Sequence, residues 1–179
     1  IAPDWRGFGH SDRSGADTYW VPDYVADLDA LLDRFAPDEA VNLLGHSMGG
    51  NIAGLYAGVR PHRVGKLINL EGFGLPGTKA AQYPKRLANW LDELRAPPEM
   101  RGYASLDEVA ARLRKTNPRL SYERSSFLAA HWSEQDRDGQ WRILGDPAHK
   151  MTGPLLYHVD EMMAAWSAIT APVLWVEAE

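Results

Sequence analysis

A chain of 179 residues with 45% hydrophobic side chains has the ordinary length of about one domain and can bury a real core. Its formal net charge of -5 supplies no basic stripe for nucleic acid, and with Cys 0 it has no disulfide framework, thiolate nucleophile or zinc-thiolate site. No apolar run approaches the roughly 20 residues that span a bilayer, so no membrane partner is expected, and the lack of cysteine fits a cytoplasmic setting.

The first residues, Ile1-Ala2-Pro3-Asp4, read as the end of a strand, and Trp5 to Asp12 as a loop punctuated by Gly7 and Gly9. From Val21 the residues Val21, Tyr24, Val25, Leu28, Leu31, Leu32 and Phe35 recur at helical spacing, with Pro22 and Asp23 suited to a first turn. A strand from Ala40 to Leu44, a helix to about Val59 closed by Pro61, and a strand from Val64 to Glu71 follow. This alternation, with apolar strands, predicts an α/β fold whose parallel sheet is covered on both faces.

After Gly72 the pattern turns helical for about a hundred residues. Helices are predicted from Lys79 to Leu94, with Tyr83, Leu87, Trp90, Leu91 and Leu94 on one face, and from Leu106 to about Lys115 behind a Ser105/Glu108 capping box. Two more are expected over Tyr122 to Trp132 and from about Leu155 to Ile169, with a short extended piece at Gln140 to Leu144. Ala171 to Glu177 returns to a strand. The expected organisation is a core of residues 1–72 and 171–179 interrupted by a helical insertion, residues 73–170.

One segment carries chemistry. Val41-Asn42-Leu43-Leu44-Gly45-His46-Ser47-Met48-Gly49-Gly50 is an apolar strand running into Gly-x-Ser-x-Gly, with a small-residue helix opening behind it. A strand that turns this sharply into a helix forces its apical residue, Ser47, into a strained backbone and lifts the side chain clear of the sheet. Glycines at positions 45 and 49 leave room for the turn, and the Met48 N–H at the helix start is aimed where an oxyanion would form.

Together with Asp4-Trp5-Arg6-Gly7-Phe8-Gly9-His10-Ser11, this elbow resembles the α/β-hydrolase superfamily in its cap-bearing branch. In that family an Asp-x-Arg-Gly-x-Gly-x-Ser loop follows the fourth strand and the elbow follows the fifth. Leu70-Glu71-Gly72 sits where the sixth strand ends and the cap begins, and Pro172-Val173-Leu174-Trp175-Val176 resembles the seventh strand. The resemblance implies a second oxyanion donor after the third strand, an acid after the seventh and a base histidine after the eighth. These positions fall outside the 179 residues, so the resemblance marks the chain as part of a longer enzyme, with an unfilled place beside the strand that carries Ser47.

A serine hydrolase needs a histidine to take the serine proton and an acid to orient it. His46 is expected to pack behind the turn, His10 to bond locally and His62 to be solvated. His131, His149 and His158 fall in the insertion, and none of the six has the family position of the base. Glu71, at the carboxyl end of a strand next to the elbow strand, is an alternative acid, although a structural or hinge role at the cap entrance is the expected one. Glu177 and Glu179 stop just short of the family acid, and Asp4 with Arg6 is read as a pair that fixes its loop.

No metal-ligand or phosphate-cradling motif is present, so no cofactor is implied. The insertion is rich in large side chains, among them Phe73, Tyr83, Trp90, Tyr103, Phe127, Trp132, Trp141, Tyr157, Met162, Met163 and Trp166. Most are expected in its own core and a minority along a cavity for an apolar acyl or alcohol group. The expected function is therefore a serine hydrolase acting on a small ester, amide or related carbonyl substrate through an acyl-enzyme on Ser47. Its alternatives are an acyltransferase with the same nucleophile and a non-catalytic ligand-binding domain on that scaffold.

Overall fold

A computed structural model describes residues 1–178 of the chain. They form two compact units, one made of Ile1–Thr18 with Trp90–Thr152, the other of Tyr19–Asn89 with the segment from Gly153 onward. The partition into a core of residues 1–72 and 171–179 and an insertion at residues 73–170 is a proposal about family layout.

The second unit holds the parallel sheet. Its strands β1 (Val41–His46), β2 (Val64–Leu70) and β3 (Val173–Val176) lie in the order β1-β2-β3. The register aligns Leu44 with Ile68 and Ile68 with Leu174, so one face carries Leu44, Ile68 and Leu174 and the other Leu43, Leu67 and Val173. Among the described residues β1 pairs along one edge only.

Helix α1 (Val21–Phe35) has Pro22 in its first turn, and helix α2 (Met48–Val59) lies across β1 and β2. Ile52, Ala53, Tyr56 and Ala57 of α2 are buried with Tyr24 and Leu28 of α1, Leu67 of β2 and Met162 of helix α3 (Val159–Ser167). The small side chains of α2 allow this close stacking, and both α1 and α3 pack on α2. The Tyr56 hydroxyl donates to Asp29 Oδ1 at 2.9 Å, and burial, then that bond, pushes its phenol above the ordinary range.

Among the described residues helix α2 packs against one face of the sheet, and on the other face Leu44 and Leu174 are 65% and 57% exposed. One expected boundary shifts. The last helix starts at Val159 rather than near Leu155 because the backbone at Tyr157 is engaged by Thr78. Tyr157 N–H donates to Thr78 Oγ1 at 2.7 Å, and Thr78 N–H returns a bond to the Tyr157 carbonyl at 3.1 Å.

The first unit is built on helices α4 (Leu106–Thr116) and α5 (Tyr122–Trp132), which pack on each other, and a small antiparallel sheet. That sheet sets β4 (Trp141–Ile143) between β5 (Gly102–Tyr103) and β6 (Ser133–Gln135). Tyr103, Val109, Ala110 and Ala129 form the core, backed by Leu106, Leu113, Trp141 and Ile143. Half of the capping box expected at α4 forms: Ser105 Oγ accepts from Glu108 N–H at 3.3 Å, while the Glu108 carboxylate accepts at 3.0 Å from the N–H of Ala104, one residue before the cap, rather than from that of Ser105.

Ile1 to Asp4 form no strand, because a strand exists only as one side of a ladder and no described strand pairs with them. The loop after them is tied down locally. Ser11 Oγ donates to the Asp4 carbonyl at 2.7 Å, His10 N–H donates to the Asp4 carboxylate at 3.0 Å, and Phe8 bridges to Gly145. His149 stacks on Phe8 with 3.9 Å between rings and shares a 3.0 Å bond with the Gly7 carbonyl. Burial there holds the His149 imidazole below its ordinary pKa.

The expected aromatic core of the insertion is smaller than predicted. Tyr103 and Met162 are buried, but Phe73, Tyr83, Phe127, Trp132 and Met163 are exposed, and the helix of Tyr83–Arg95, α6, buries no residue. Among the described residues no helix is long and apolar enough to cross a membrane.

Candidate active site

Ser47 sits between β1 and α2 with φ 51° and ψ -114°. That backbone is strained for any residue with a β-carbon, and Glu71 at φ 59° is the one other described non-glycine residue with positive φ. The turn closes so tightly that a Cβ on Gly45 would stand 2.2 Å from the Gly49 carbonyl oxygen, which is why glycine occupies the position.

The strain is held by backbone bonds on both sides. Ser47 N–H donates to the Leu70 carbonyl at 2.7 Å, one rung beyond the last β1–β2 pair, and the Ser47 carbonyl accepts from Asn51 N–H at 3.1 Å in the first turn of α2. The Ser47 side chain is exposed. Met48 is the first helical residue, so its N–H is among those with no partner inside the helix, and no acidic side chain occupies that first turn. An exposed hydroxyl therefore stands next to the positive end of a helix.

Glu71 follows the last residue of β2, one register step beyond the His46 to Leu70 pair, which puts it beside Ser47. Its N–H donates to the Val176 carbonyl at 2.9 Å, and its carboxylate accepts from Ala178 N–H. The side chain thus clasps the end of β3. Glu177 follows β3 outside any regular element, and Glu179 lies outside the described residues.

His46 is exposed on the side of the sheet opposite α2, so the packing role expected for it behind the turn is not found among the described residues. A residue of alternate parity to Gly45 points away from the face that α2 covers, and among the described residues no helix packs on that side. His62 is exposed beyond the far end of α2, a 12-residue helix and so about 18 Å from Ser47. His158 precedes α3 and is exposed. In the other unit His10 faces Glu134 at 3.3 Å, and His131 stacks on Phe127 and bonds its carbonyl at 2.8 Å. No group of three or more His, Asp or Glu capable of holding a metal gathers among the described residues.

One buried residue escaped the reading of the sequence. Asn69 is fully buried in β2, and its side chain bonds the backbone of both Gly50 and Gly72. Its signal was an amide inside an apolar strand, where a buried polar group must find partners.

The family model described as alpha/beta hydrolase fold matches residues 1–142. The chain belongs to the α/β-hydrolase family. It is 33% identical over 154 residues to a cis-3-alkyl-4-alkyloxetan-2-one decarboxylase of Shewanella oneidensis, a match covering 82% of this chain and 47% of the relative. A serine hydrolase-like protein of Danio rerio is 24% identical over 186 residues, covering 100% of this chain and 56% of that protein. Among solved structures, a hypothetical protein of Pseudomonas aeruginosa PAO1 superposes with a TM-score of 0.86 at 27% identity, over 98% of this chain and 63% of the other. The chain spans about half the length of the curated relatives it matches.

Proposed function

We propose that this α/β-hydrolase chain carries the nucleophile of a serine hydrolase that cleaves an ester, amide or related carbonyl substrate through an acyl-enzyme on Ser47. The observation that carries the reading is the strained Ser47 backbone at the head of α2, φ 51° and ψ -114°, which presents a hydroxyl to solvent beside unneutralised helix N–H groups.

In the proposed reaction Ser47 Oγ attacks the substrate carbonyl carbon while a histidine accepts its proton. The oxygen gains negative charge as the C–O double bond opens, and the Met48 N–H donates to it. Collapse expels the alcohol or amine, which takes the proton back from the histidine, and water then cleaves the ester on Ser47 by the same steps. The base and the second oxyanion donor are assigned by the family resemblance to parts of the protein other than these 179 residues. An apolar acyl or alcohol group is the proposed substrate feature, in keeping with the aromatic side chains of residues 73–170. The Shewanella relative is named for an oxetan-2-one, a cyclic ester, which falls within the proposed carbonyl class.

The test is turnover of p-nitrophenyl acyl esters by the full-length protein and its Ser47→Ala variant. Removal of the nucleophile should lower kcat by about a million-fold, as triad deletions do. A variant within tenfold of the wild type overturns the reading.

A further inference from the structure

We propose that Asn69 is the positioning residue of the elbow, its side-chain amide pinning the first turn of α2 to the turn that ends β2. The proposal rests on Ser47 being the nucleophile. Asn69 is 0% exposed, and both the NH2 group and the oxygen of its amide are bonded. Nδ2 donates to the Gly50 carbonyl at 3.2 Å and to the Gly72 carbonyl at 3.1 Å, while Oδ1 accepts from Gly72 N–H at 2.8 Å. The partners fix the orientation of the amide: two carbonyls require the NH2 group and one N–H requires the oxygen, so the flipped rotamer would make none of the three bonds.

The two segments it joins are the strained ones. Gly50 lies three residues after Ser47 in the first turn of α2, and Gly72 follows Glu71, the other positive-φ residue. They approach so closely that a Cβ on Gly72 would fall 2.6 Å from the Gly50 carbonyl carbon, and a Cβ on Gly50 would fall 3.1 Å from the Gly72 Cα. With Ser47 N–H on the Leu70 carbonyl, the elbow is held to β2 at two points, one through main chain and one through Asn69.

The main-chain rung belongs to the sheet and survives any side-chain change. Asn69 supplies the second point, and two points fix the rotation of the turn where one fixes only its distance. That rotation sets where Ser47 Oγ and the Met48 N–H stand relative to a substrate carbonyl. A displacement of about 1 Å in such groups costs on the order of a hundredfold in rate. Asn69 touches no substrate and acts through the placement of its neighbours.

The experiment compares the full-length wild type with Asn69→Ala, Asn69→Asp and Ser47→Ala, measuring p-nitrophenyl ester kinetics, the rate of fluorophosphonate labelling and the melting temperature. Asn69→Asp keeps the size and the acceptor for Gly72 N–H but turns an oxygen toward the two carbonyls. Both Asn69 variants, assayed below their melting temperatures, should lose about thirtyfold or more in kcat and in labelling rate with KM within about twofold. A merely structural role would lower the melting temperature and leave both rates per folded molecule unchanged, and that result overturns the proposal. Labelling that persists in Ser47→Ala would instead remove the nucleophile reading itself, so the two failures are distinct. A wild-type measurement stands independently of whether the variants fold: the Gly72 amide, bonded to Asn69, should exchange slowly with deuterium, and exchange at the rate of an open loop overturns the pin.

Discussion

Glu71 shows how much a single carboxylate can be asked to do. It stands beside Ser47 at a positive φ, yet its oxygen is taken by Ala178 N–H at the end of β3, which fits a clasp better than an acid waiting for a histidine. Glu71→Gln keeps a carbonyl oxygen for that N–H, so kcat of the full-length protein should fall by about tenfold or less, with KM or the melting temperature moving instead. Were Glu71 the triad acid, the imidazole would lose its tautomer and charge partner and kcat would drop by about ten-thousand-fold at an unchanged melting temperature. At the same scale, the Arg142 side chain, then the Gln140 N–H, hold the Asp136 carboxyl below the usual carboxylate range. The stability this lends is complete above the unfolded value near pH 4 and is lost as pH falls through the lower folded value. Urea midpoints of wild type and Asp136→Asn should therefore differ at neutral pH and converge in acid; a gap that persists unchanged to pH 2 would refute the assignment. Ser47 was legible in the sequence because its whole environment is local, a strand and a helix on either side of one residue. Asn69 was not, because its partners Gly50 and Gly72 become neighbours only when β2 lies beside β1 and α2.

Elements were legible where their signals repeat or carry a cap. Helix α4 begins where Ser105 and Glu108 predicted, and removing that cap with Ser105→Ala should cost about 1 kcal/mol. Thermal unfolding checks this, and an unchanged midpoint would show that packing against α5 alone sets the helix start. Strands β5 and β6 went unseen, since Gly102–Tyr103 and Ser133–Gln135 are too short to show alternation. The start of α3 was misplaced because hydrogen bonds from Thr78, 79 residues away, compete for the backbone at Tyr157.

At the scale of the molecule, family and fold follow from two motifs in order, and the match over residues 1–142 agrees with them. Among the described residues β1 is paired along one edge, as the resemblance implies for the strand that carries Ser47. The central claim is that the elbow makes Ser47 the nucleophile of the whole protein. Its most direct measurement is covalent: the full-length protein is treated with a fluorophosphonate, digested, and the adduct located by mass spectrometry. One phosphonyl group should be found, on Ser47, with no labelling of Ser47→Ala. An adduct on another residue, or labelling that survives in the variant, would contradict the account.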